Sequence, residues 1–216
     1  MPETVIPLPR AFFSRDPRRV ARALLGKVLI RNGTPRLTAR VVEVEAYLGA
    51  EDPAAHAAAG RTARNEVLFG PPGHAYIYFI YGNHYCLNVS CEPAGKAGGV
   101  LFRALEPLSG IEEMARARGI ALSNRKDLLR LTSGPGRLSE AFGITRPRDN
   151  GNDLTLPNSS LWLADDGYRA RGIVVTTRIG ITKAAEHPLR YLIEANPFVS
   201  RKVKPTPLRR KLGERR

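Results

Sequence analysis

Apolar residues recur at helical spacing over residues 18–25, where Val20, Ala21, Leu24 and Leu25 share a face. Asp16 and Pro17 form a cap and first-turn pair before them, and Gly26 supplies the stop. The period then changes to two. Residues 27–30 and 37–47 read as strands, the second rich in Val. Residues 74–81 and 85–90 are aromatic and β-branched runs about Gly82-Asn83, which signals a hairpin. Residues 99–104 read as a further strand, and 161–163, 173–177 and 191–193 complete the set. Helices are predicted over 109–118 and from Ser133 and Pro135 through Leu138, Ala141 and Phe142. Residues 51–64, small, polar and Ala-rich, read as a loop or short helix. No repeat, low-complexity block or linker divides positions 1–200, so the pattern predicts a single mixed α/β domain there.

Composition narrows the setting. Of 216 residues, 43% are hydrophobic and 25% charged, ordinary for a soluble globular chain. No apolar run approaches the roughly 20 residues that span a bilayer, and the opening segment lacks an apolar signal core. Two cysteines exclude a disulfide scaffold and point to a reducing, intracellular compartment: cytoplasm or nucleoid in a bacterium, nucleus in a eukaryote. Charge changes the picture more. The formal charge is +14, and residues 201–216 hold eight Lys or Arg against one Glu. That net +7 segment, broken by Pro205 and Pro207, reads as a flexible basic tail, and residues 1–200 are basic as well. The expected partner is a nucleic acid rather than a membrane, because no amphipathic apolar face accompanies the charge.

Absent motifs remove several chemistries. No phosphate loop or dinucleotide turn signals a nucleotide cofactor. Cys86 and Cys91 lack a second pair for zinc, no helical His pair offers a metal site, and no nucleophile elbow is present. Two features remain. Glu43, Glu45 and Tyr47 share one face of the second strand; that face is either solvated or sets a carboxylate against an aromatic wall, suited to general-base work. Residues 76–85 hold five aromatics: Tyr76, Tyr78, Phe79, Tyr81 and Tyr85. Ile77 and Phe79 are expected to pack inward. Tyr76 and Tyr78, on the other face, could stack on a base with their hydroxyls in water, and Tyr81 is expected at the exposed tip.

Those segments resemble the alkyladenine (3-methyladenine) DNA glycosylase family. The resemblance lies in Val42-Glu43-Val44-Glu45-Ala46-Tyr47-Leu48-Gly49, Asp52 through His56, Arg64-Asn65, Tyr76 through Asn88 and Arg103-Ala104-Leu105-Glu106-Pro107. It continues in Ser133-Gly134-Pro135-Gly136, Arg178-Ile179-Gly180-Ile181 and Asn196-Pro197-Phe198-Val199-Ser200, in the same order from about Phe12 to Ser200. It implies an α+β fold, a curved, largely antiparallel sheet with a protruding hairpin and surrounding helices. It also implies a monomer that flips alkylated or deaminated purines from duplex DNA and hydrolyses the N-glycosidic bond, with no metal, cofactor or lyase activity. By resemblance, Glu45 activates water, helped by Arg103 and the carbonyl near Ile179. Tyr47, His56 and Tyr78 sandwich the base, and Asn88, expected opposite Tyr78, guards the purine 2-position. Tyr81 and Leu101 wedge into the minor groove. The competing class is a non-catalytic nucleic-acid-binding module, for which a carboxylate facing phosphates would be repulsive.

Overall fold

In a computed structural model of the chain, which describes residues 5–80, 82 and 84–200, a two-residue strand, β1 (Ile6–Pro7), and one helical turn, α1 (Arg10–Phe13), precede α2 (Pro17–Leu24). The Asp16 carboxylate accepts the Arg18 N–H at 2.8 Å, and Pro17 opens the first turn as the cap pattern predicts. Strands β2 (Val28–Arg31), β3 (Leu37–Tyr47), β4 (Ala75–Ile80), β5 (His84–Ser90) and β6 (Gly99–Ser109) follow. Helices α3 (Ile111–Ala117), α4 (Arg125–Arg130), α5 (Pro135–Ala141) and α6 (Arg146–Asp149) come next, then β7 (Leu161–Asp165), β8 (Ile173–Thr176) and β9 (Arg190–Ile193).

The strands form one curled antiparallel sheet in the order β1-β7-β2-β3-β6-β5-β4. β9 pairs with residues 43–45 of β3, beyond the stretch taken by β2, and carries β8 on its outer side. Side chains directly opposite in such a ladder share a face. One face is therefore apolar. Val44 and Ala46 of β3, Val100 and Phe102 of β6, Leu87 and Val89 of β5, and Ala75 and Ile77 of β4 are all fully buried. They join Val20 and Leu24 of α2, Met114 of α3, and Leu138, Ala141 and Phe142 of α5 in one cluster. Burial of each Val, Leu, Ile, Phe or Met among them contributes about 1.5–3 kcal/mol, and this core supports an opposite face built of polar and aromatic groups. On that face Glu45, Leu101, Asn88 and Tyr76 lie side by side on four neighbouring strands.

Several elements differ from the pattern-based reading. β6 runs on to Ser109, and Gly110, at φ +72°, makes the turn into α3. α4 was not expected because it buries no side chain, although Asn124 and Asp127 form a complete capping box. The hairpin extends past the sheet, because only residues 88–90 of β5 pair with β6. Phe79, expected to pack inward, is for that reason 46% exposed, with its ring 5.0 Å from that of Tyr85. Among the described residues no helix is long and apolar enough to cross a membrane. Tyr81 and the basic segment 201–216 lie outside the described residues.

Candidate active site

A cavity of about 360 Å³ opens on the polar face of the sheet. Strands supply Tyr47, Tyr76, Tyr78, Cys86, Asn88, Leu101 and Arg103 to its walls; loops add His56 and Ile179, and α5 adds Pro135 and Gly136. Rigid strands thus carry most of the wall. Tyr76, Tyr78 and His56 form an aromatic cluster on one side. The His56 and Tyr78 rings meet edge to face at 4.4 Å, and the Tyr76 hydroxyl lies 2.9 Å from His56 Nδ1. Desolvation against these rings, helped by the Arg64 charge, pulls the His56 imidazole below its ordinary value. It is therefore neutral at pH 7. Burial pushes the Tyr78 phenol well up and keeps the Cys86 thiol protonated beside it.

Behind the wall lies a charged cluster. Glu45 is fully buried and does not itself line the cavity; three groups that do line it hold its carboxylate. The Ile179 N–H donates to Oε1 at 2.8 Å, Arg103 Nη1 lies 3.1 Å from the same oxygen, and the Tyr47 hydroxyl donates to Oε2 at 3.1 Å. Burial raises the Glu45 pKa, and the Arg103 charge and these hydrogen bonds only partly offset it. Burial and the neighbouring Glu45 charge hold the Tyr47 phenol far above its ordinary value, so it remains a donor. Arg103 also donates from Nε to Glu43 Oε1 at 3.1 Å. Glu43 is fully buried too and takes Arg190 Nε at 2.6 Å.

A second buried pair braces the wall from outside. Arg178 meets Asp52 through Nη1 at 2.5 Å and Nη2 at 2.9 Å. Its guanidinium lies 4.6 Å from the centre of the Tyr47 ring. This pair ties together the loop carrying His56, the end of β3 carrying Tyr47, and the segment carrying Ile179. Asp52, Arg178, Glu43 and Arg190 had no assigned role from sequence. Asp52 and Arg178 stand inside family-like segments, but pairing across 126 residues leaves no local signal.

The predicted site residues are largely brought together: Tyr47, His56, Tyr78, Asn88, Arg103 and Ile179 line this cavity, and Glu45 lies directly behind its wall, bonded to Ile179 and Arg103. Four expectations need correction. The face of β3 bearing Glu43 and Glu45 is not solvated, because Tyr47, Arg103, Arg190 and the Ile179 and Ser200 segments close over the two carboxylates. Tyr76 is only 1% exposed, so its hydroxyl is bound to His56 rather than wet. Asn88 sits opposite Tyr76, not Tyr78, because the hairpin register pairs Tyr78 with Cys86; its amide Nδ2 donates to the Tyr76 carbonyl at 3.2 Å. Leu101 is 3% exposed in a central strand between Glu45 and Asn88, so it forms wall rather than wedge.

The family described as Methylpurine-DNA glycosylase (MPG) matches residues 11–197. A protein of Koribacter versatilis (strain Ellin345), named "Putative 3-methyladenine DNA glycosylase", is 62% identical over 197 residues, 91% of this chain and 94% of its own length. Proteins of the same name from Alkaliphilus oremlandii (strain OhILAs) and Methanoculleus marisnigri (strain ATCC 35101 / DSM 1498 / JR1) are each 45% identical, covering 90% of this chain and 99% of theirs. The match takes in every strand and loop that builds the cavity, and on that extent the chain belongs to the methylpurine-DNA glycosylase family.

Proposed function

We propose that this protein, acting as a monomer, extrudes alkylated or deaminated purines from duplex DNA and hydrolyses their N-glycosidic bond with a water activated by Glu45. The substrate class is 3-methyladenine, 7-methylguanine, hypoxanthine and ethenoadenine. The observation that carries this reading is Glu45 itself: a buried carboxylate of raised pKa, held by three donors that form the edge of an aromatic cavity. A raised pKa makes a better base at neutral pH. Glycosidic cleavage passes through an oxocarbenium-like state, and a fixed negative charge beside the sugar stabilises it. Among the described residues the Tyr47 hydroxyl is the one donor to Oε2, which leaves a lone pair for water. The cavity volume falls within the range of small-molecule sites, about 300–1,000 Å³.

Tyr47 and the His56–Tyr78 pair supply the surfaces on which the extruded base stacks. A cationic alkylpurine over such a face gains roughly 0.5–2 kcal/mol, and a neutral His56 does not repel it. Among the described residues that line the cavity none is a lysine, which favours hydrolysis over Schiff-base lyase chemistry. The test is a duplex carrying a single hypoxanthine or 3-methyladenine. Release of the free base, with the strand intact until alkali is added, supports monofunctional hydrolysis. Binding without release overturns it in favour of a binding module.

A further inference from the structure

Glu43 takes no part in the chemistry proposed above, yet it is as deeply buried as Glu45. Four donations converge on its carboxylate. Oε1 receives Arg103 Nε at 3.1 Å, Arg190 Nε at 2.6 Å and Ser200 Oγ at 2.9 Å, and Oε2 receives the Ser200 N–H at 2.5 Å. Arg190 stands directly opposite Glu45 in the β3–β9 ladder. The two acids and two guanidiniums form a buried group, and Arg103 touches both carboxylates and also lines the cavity.

A guanidinium is planar and rigid, so fixing one nitrogen fixes the direction of the others. With Nε held by Glu43, Nη1 is delivered to Glu45 Oε1 and cannot swing into the cavity. We infer that Glu43 is a positioning residue for base release: it aims Arg103 at the catalytic carboxylate, and Ser200 and Arg190 lock Glu43 in place. This rests on the general-base reading of Glu45. Its second effect is electrostatic, because the negative charge of Glu43 beside Glu45 helps to keep the latter basic. Ser200 is the last described residue before the basic segment, so the end of the described chain anchors in the same network.

The test compares Glu43→Gln and Glu43→Asp with the wild type in single-turnover release of hypoxanthine across pH, with lesion-DNA binding and melting measured alongside. Glu43→Gln keeps the shape but removes the charge. Its plateau rate should fall about 10- to 100-fold, the cost of a misaimed catalytic group, with lesion-DNA affinity unchanged. The acid limb of its pH–rate profile should move to lower pH, since a like charge next to Glu45 is gone. Glu43→Asp keeps the charge that faces Arg190 but withdraws it by one methylene. It should lose rate with its acid limb in place, and it decides the matter if Glu43→Gln does not fold. A purely structural Glu43 lowers melting but leaves rate and acid limb at wild type in whichever variant folds, and that result overturns the inference. Glu45→Gln is run in parallel. If it still releases base, the general-base reading fails and this one with it; if it is inactive while both Glu43 variants match the wild type, only the positioning role falls.

Discussion

Glu45→Gln separates chemistry from structure with little disturbance. The amide oxygen can take the place of Oε1 and still accept the Ile179 N–H and Arg103 Nη1, now at 2.8 and 3.1 Å. The amide nitrogen then faces the Tyr47 hydroxyl, which can turn to accept. What disappears is the capacity to take a proton and the negative charge. General-base catalysis is worth about 10²–10⁴-fold, or about 3–5 kcal/mol at 1.36 kcal/mol per tenfold, and loss of the charge near the sugar adds to it. Stability should move the other way. The folded-state pKa of Glu45 lies above its unfolded value, so the folded state binds a proton more tightly, and stability falls as pH rises through that interval. Above it the ionised side chain is a standing cost that glutamine lacks. The variant should therefore melt no lower than the wild type at pH 7.5, and the difference should shrink as pH drops and Glu45 protonates. Wild-type single-turnover release should decline on the acid side at a pH above the ordinary carboxylate range. A variant retaining more than about a hundredth of the wild-type rate refutes the assignment of Glu45 as base. One that is inactive but also clearly less stable refutes the accounting given for its burial.

Asn88→Ala should open the cavity to the exocyclic amine that distinguishes guanine from hypoxanthine, shifting the guanine-to-hypoxanthine excision ratio by about 10- to 200-fold. Because Asn88 also bonds the Tyr76 carbonyl, the two bases must be assayed side by side; a parallel fall in both means its role is only to hold the hairpin. Asp52→Ala leaves Arg178 buried and unpaired, a loss of about 3–5 kcal/mol, or roughly 6–20 °C of melting temperature at this chain length. Unchanged melting would show that the pair does not brace the wall. Burial pushes the Asp52 pKa up, but Arg178 and the Leu48 and Ala54 amides outweigh it, so the pair's contribution is full above the ordinary Asp range and disappears as pH falls through the lowered value. Deleting residues 201–216 removes a net +7 and should weaken binding equally on damaged and undamaged duplex. The salt dependence should flatten by about 0.9 in log–log slope per lost phosphate contact, and an unchanged slope refutes a tail–DNA contact.

Legibility in the sequence followed the range of the interaction. The Asp16–Pro17 start of α2, both strands of the hairpin and the full extent of β3 are local signals, and all three were readable. Glu45 stood out because a carboxylate amid valines at a strand end is locally odd, and its full burial could be expected only from the family resemblance. Register was not readable. The position of Asn88 depends on which residue closes the turn, and a shift of two residues changes its partner from Tyr78 to Tyr76. The clusters of Glu43 with Arg103, Arg190 and Ser200, and of Asp52 with Arg178, join residues 60 to 157 positions apart, and no periodicity records such pairings. Phe79 failed for a related reason: alternation gives its face of the strand, but only the length of the β5–β6 ladder shows that nothing covers that face.

Glu45, Leu101, Asn88 and Tyr76 occupy one transverse row across β3, β6, β5 and β4. Neighbouring strands repeat every 4.7–4.9 Å or so, which sets the Glu45 and Asn88 backbones about 10 Å apart and Tyr76 about 14 Å from Glu45. That interval belongs to the sheet's peptide groups, so no side-chain exchange along the row alters it. In the reaction proposed above, selection can rewrite the residues that face the base while the carbon to be attacked stays at a fixed offset from the carboxylate. Lesion preference can thus drift among relatives at little risk to the reaction, much as type can be reset in a frame whose ruling never changes.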